Sequence, residues 1–169
     1  MSLSRWSFFQ GLIIVLLVVL GFVADLYRED IAVPFSATGA EVLTPKLFTV
    51  LFLVIITGLI SCIFYFQTKK SKTFLIHPLW EKMHVLLALI FVVSLVLFMI
   101  IIVIAPFGDV TQNNRWMIYV FLYYFLYLIN LIVLTVVHKA NKQKLTNENK
   151  VKQSFIWTVV VLVLIFIVL

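Results

Sequence analysis

Three groups of side chains in this 169-residue chain carry chemistry beyond filling space. The first is Tyr123, Tyr127 and Asn130, spaced i, i+4 and i+7, with Tyr119 one turn earlier. That spacing puts them along one face of a helix. An amide surrounded by apolar residues seeks hydrogen-bond partners. The stripe therefore reads either as a polar groove for a ligand, peptide or neighbouring subunit, or as glue between helices beside an aromatic belt. The second group, Thr57, Gly58, Ser61 and Cys62, is a face of small residues that lets another helix come close. The Asn130 stripe is the expected occupant. The third group is His84 and His138. On adjacent helices they could ligate a haem or a metal ion, but each lies close to lysine (Lys82 and Lys139), where a solvated or headgroup-bonded imidazole is the commoner outcome. They are weak candidates, and no cofactor is expected.

Little else suggests a reaction. Cys62 is the single cysteine and lies in an apolar run, so an intramolecular disulfide is excluded and a thiolate is disfavoured. Asp25, Glu29 and Asp30 could gather a divalent cation, but carboxylates at a translocated membrane edge are ordinary. No G-x-S-x-G, H-E-x-x-H, C-x-x-C or phosphate-binding loop is present. The expectation is a protein that is not an enzyme.

The elements that must position these groups are five long apolar runs. The chain is 64% apolar and 12% charged, whereas soluble domains are roughly half apolar and a quarter charged. The runs are continuous rather than periodic, the pattern for helices that face lipid or one another. In lipid the backbone has no partner but itself, so each run must be a helix. The spans are placed at about 6–24, 47–66, 83–104, 117–137 and 154–169. The expected fold is all-α, a polytopic transmembrane bundle.

Charge orients it. Arg5, Lys69, Lys70, Lys72, Lys82, Lys139, Lys142, Lys144, Lys150 and Lys152 fall in alternate gaps, and the other gaps hold only Arg28, Lys46 and Arg115. By the positive-inside rule this predicts inner loops at 67–82 and 138–153, outer loops at 25–46 and 105–116, the N-terminus inside and the C-terminus outside. The same topogenic pattern explains the net charge of +6, so nucleic acid is not expected as a partner. The lysines of 138–153 are expected to rest on anionic headgroups.

Local signals set the boundaries. Before Asp25 the chain reads Gly21-Phe22-Val23-Ala24, and Phe22 occupies a place where signal cleavage needs a small residue, so the first run is read as a retained anchor. Thr44-Pro45 predicts the start of the second helix, with Thr44 as N-cap and Pro45 at the first position. His77-Pro78 marks the start of the third, and Asn114 is a candidate N-cap for the fourth. The last run, 155–169, reaches only about 22 Å at 1.5 Å per residue, short of a hydrocarbon core of roughly 30 Å.

No Asp, Glu, Lys or Arg lies inside a run, which argues against ion-coupled transport by this chain alone. In general build the chain resembles small bacterial multi-span membrane proteins, including toxin-immunity proteins and accessory subunits. That resemblance implies a small plasma-membrane protein that binds another membrane protein or itself. The alternative is a subunit of a transporter or channel complex.

Overall fold

A computed structural model describes residues 5–27, 40–71, 73–75, 79–104, 116–141 and 145–168. These form five helices: α1 (Arg5–Leu26), α2 (Ala40–Lys70), α3 (Leu79–Ile104), α4 (Trp116–Ala140) and α5 (Asn147–Val168). Four of them, α1 to α4, are long and apolar enough to cross a membrane. The protein is all-helical, as the composition requires.

Two helix starts differ from the sequence reading. Helix α2 begins at Ala40, so Thr44 is not its N-cap and Pro45 lies inside the helix. Proline lacks an N–H, so the carbonyl of Glu41 loses its usual donor. Helix α5 begins at Asn147, with a backbone bond from Lys150 N to Thr146 O closing its first turn. Its 22 residues extend about 33 Å, against the 22 Å read for the apolar part alone. Asn114 lies outside the described residues.

Helices α2 and α4 form the centre. α2 packs on α1, α5 and α4; α4 packs on all four others. α3 packs extensively on α4 alone and is the least buried of the long apolar helices. The contact is an antiparallel seam. His84 meets Lys139 at one end, and Phe98 packs on Phe121 towards the other (ring centroids 5.0 Å apart). Phe91 and Phe98 both touch Phe125, at 5.8 and 5.7 Å, and Ser94 Oγ lies 2.6 Å from Tyr124 Oη.

The core is apolar, centred on Ile56, Ile60, Phe64, Leu126, Leu131, Leu134 and Leu162, with Leu75 and Trp80 closing one end. Four buried hydroxyls bond to their own helices: Thr57 to Leu53 O, Thr135 to Ile132 O, Ser154 to Val151 O and Thr158 to Ser154 O. A buried hydroxyl satisfied in this way needs no partner from another helix.

Candidate functional site

The seam between α2 and α4 holds the polar residues singled out by their spacing. Asn130 is completely buried and donates from Nδ2 to Ser61 Oγ at 2.6 Å, with the carbonyl of Thr57 at 3.4 Å. Thr57 and Ser61 are themselves buried. Small side chains at 57 and 61 admit the amide, and the amide supplies the hydrogen bond that apolar packing lacks. Asn130 Oδ1 is buried and has no hydrogen-bond partner among the described residues.

The rest of the stripe diverges. Tyr123 donates to the carbonyl of Leu17 on α1 at 2.9 Å. Tyr127 packs against Phe64 with the rings tilted, centroids 5.4 Å apart, and keeps two-fifths of its surface exposed. Gly58 faces α5, where an added Cβ would sit 3.6 Å from the Phe155 ring. Cys62 is exposed. Thus the structure joins Asn130, Thr57 and Ser61, while Tyr123, Tyr127 and Gly58 serve three other contacts.

The two histidines lie in a basic cluster at the end of the bundle where α4 hands over to α5. Lys139 Nζ is 3.1 Å from His84 Nε2, and Lys150 Nζ is 3.4 Å from His138 Nδ1. With His84 Nε2 accepting, its proton sits on Nδ1, which is buried and finds no acceptor among the described residues. His138 packs beside Trp80, ring centroids 6.1 Å apart. Each histidine therefore turns a ring nitrogen towards an ammonium, whose charge repels a metal ion. Among the described residues no three His, Cys, Asp or Glu side chains converge on a metal-sized site. Asp25 lies in α1; Glu29 and Asp30 fall outside the described residues.

Several contacts at this end were not anticipated. Gln10 donates to both the Ile63 carbonyl (3.2 Å) and Gln67 Oε1 (3.1 Å), clamping α1 to α2 beside Trp6, Phe9 and Phe66. Lys69 pairs with Glu148 at 2.6 Å, tying α2 to α5, and Tyr65 donates to the same carboxylate at 3.4 Å. The hydrogen bond from Lys69 holds the Glu148 carboxyl below its ordinary range. Lys150 points inward, only 3% exposed, and desolvation lowers its pKa. Gln10 is visible in the sequence as an amide inside the first apolar run, as Asn130 is inside the fourth. Lys150 was expected among the headgroup-facing lysines; the structure instead puts it on the buried face of α5 with Ser154 and Thr158, at i, i+4 and i+8.

At the opposite end, α1 and α4 separate around a half-open pocket of about 340 Å³. Its walls include Phe22, Trp116, Tyr119 and Tyr123, and Asp25 stands on it. Comparison with protein-family models, curated proteins and solved structures finds no match.

Proposed function

We propose that this chain is a five-span protein of a bacterial cell membrane, N-terminus in the cytosol and C-terminus outside, that works by binding another membrane protein. An accessory-subunit or immunity-type role fits this reading, and no catalysis is assigned to it. The asymmetric placement of Lys and Arg supports the orientation. The length of α5 and its packing on α2 and α4 support a fifth span. The exposure of Lys139 and Lys152 supports contact with anionic headgroups on the side read as cytosolic. Lys150 is turned away from that role.

The observation that carries the binding role is the contrast between a spent interior and an unspent flank. Among the described residues, the buried hydroxyls of Thr57, Thr135, Ser154 and Thr158 bond to their own helices and the Asn130 Nδ2 group bonds to Ser61, so of the polar groups inside the bundle the Asn130 oxygen is left over. Helix α3 meets only α4 extensively. Val85, Leu89, Val92, Val96, Met99 and Val103, at i, i+4, i+7, i+11, i+14 and i+18, form an exposed apolar stripe along its length. A helix held by one neighbour is suited to complete its packing against a partner.

Site-specific photo-crosslinking tests this in intact membranes. A crosslinker at Leu89 or Val96 should give one discrete protein adduct, while the same group at exposed Val15 of α1 should give lipid. Lipid adducts alone from α3, or the same protein adducts from both helices, would remove the proposal.

A further inference from the structure

The pocket between α1 and α4 has the chemistry of a cation site. Its surface is almost wholly apolar, and four aromatic rings, Phe22, Trp116, Tyr119 and Tyr123, contribute to its lining. Aromatic faces carry negative potential and attract cations, most of all cations whose charge is dressed in apolar groups. Asp25 adds the one formal charge in the lining. No described basic group pairs with it. Glycine at position 21 lets the two tyrosines come close to α1 at the pocket wall: an added Cβ there would lie 3.3 Å from Tyr123 Oη and 3.8 Å from Tyr119 Cβ. At about 340 Å³ the pocket is at the small end of ligand sites.

We propose that this pocket binds a monovalent alkylammonium group, an amine or quaternary ammonium with apolar substituents, through the Asp25 carboxylate and the rings of Trp116, Tyr119 and Phe22. α1 ends and α4 begins at this edge, so the site faces the side of the membrane opposite the basic cluster. The group arrives either on a free cation or as the headgroup of a choline- or ethanolamine-bearing lipid; the recognition chemistry is the same. The assignment is independent of the protein-binding role of α3.

The test is calorimetric titration of the purified protein in a non-ionic detergent with benzyltrimethylammonium, beside neopentylbenzene, its uncharged carbon isostere. The wild type should bind the cation saturably and the isostere at least about tenfold more weakly. Asp25→Asn should weaken cation binding by about tenfold or more, and Trp116→Leu severalfold. Val18→Trp adds bulk from an exposed lining position while keeping the carboxylate, and should abolish binding. Unchanged helical content and melting in these variants separates lost binding from lost fold. Arg28 and Arg115 are close in sequence to Asp25 and Trp116, so Arg28→Gln and Arg115→Gln proteins are titrated too, to release the carboxylate from any competition by the chain itself. Competition by short-chain phosphatidylcholine at equal or lower concentration assigns the site to a lipid headgroup; its absence assigns it to a free cation. No saturable cation binding in the wild type or either arginine variant overturns the proposal. So does equal affinity in the Asp25→Asn protein, or equal affinity for the neutral isostere.

Discussion

Removing the Ser61 hydroxyl should be harmful alone and harmless once Asn130 is replaced. In Ser61→Ala the amide of Asn130 loses its 2.6 Å hydrogen bond and keeps only the 3.4 Å approach to the Thr57 carbonyl. Interhelical hydrogen bonds in membranes are worth about 0.6 kcal/mol on average and up to about 1.7, because the unfolded chain in lipid also finds partners. The amide is fully buried and its Oδ1 already lacks a partner among the described residues, so the upper part of that range applies. Ser61→Ala should therefore cost about 1–1.7 kcal/mol. Asn130→Leu alone keeps the branched shape but drives a methyl against an oxygen that now sits at hydrogen-bond distance, at a cost of about 1 kcal/mol or more. In the double variant the crowding is relieved and no buried polar group is stranded. Stability should return to within about 0.5 kcal/mol of wild type, a coupling of about 2 kcal/mol. The assay is reversible unfolding in mixed micelles at increasing sodium dodecyl sulfate, followed by helical signal. Additive losses in the double variant would refute the reasoning, because the two side chains would then not be acting on each other.

Other perturbations follow from the same packing. Leu134→Ala, in the core, should cost about 1–3 kcal/mol, less than in a water-soluble core, because lipid is as apolar as leucine and only the packing part is lost; Val92→Ala on the exposed face of α3 should change stability by less than about 0.5 kcal/mol in the same micelles. Glu148→Gln should lower the melting temperature slightly at neutral pH. The lowered folded pKa means the contribution is full above the ordinary value of 4.5 and is lost as pH falls through the folded value, so the wild-type advantage should close only in acid. Gly21→Ala brings a methyl within 3.3 Å of the Tyr123 hydroxyl, which is held by its bond to the Leu17 carbonyl, and should cost about 1 kcal/mol, whereas Gly21→Leu should wedge α1 from α4 and cost about 1–3 kcal/mol; thermal melts of the two variants compare them.

Much of the fold is legible because lipid leaves a backbone little choice. Runs of twenty apolar residues become helices whatever their order, and the structure places α1 to α4 where those runs lie. The meeting of Asn130 with Thr57 and Ser61 was also readable, since an amide in an apolar run needs close partners and small residues permit them. The fate of the tyrosines was not. At about 100° per residue, Tyr127 lies roughly 60° around the helix from Asn130, enough to put it on the flank of the seam. Tyr123 is close in angle to Asn130 but two turns higher, where α1 is the neighbour. Helix starts failed where a signal was taken too literally. Thr44-Pro45 is a plausible beginning by local chemistry, yet α2 starts one turn earlier. The first turns of α5, up to residue 153, read as a solvated inner loop because Lys150, Lys152 and the amides around them carry the pattern of cytosolic charge. The pocket beside Asp25 was missed for a plainer reason: its walls come from residues nearly a hundred positions apart in the chain, and no local spacing records that.

The orientation of the threaded chain bears most directly on the whole account, and labelling from outside intact cells measures it. In a Cys62→Ser background, single cysteines at Ser36, at Gln143 and appended after Leu169 are exposed to a membrane-impermeant maleimide. The account predicts labelling at position 36 and at the C-terminus, with position 143 reacting only after the membrane is opened. Labelling of position 143 from outside, with position 36 protected, would contradict it.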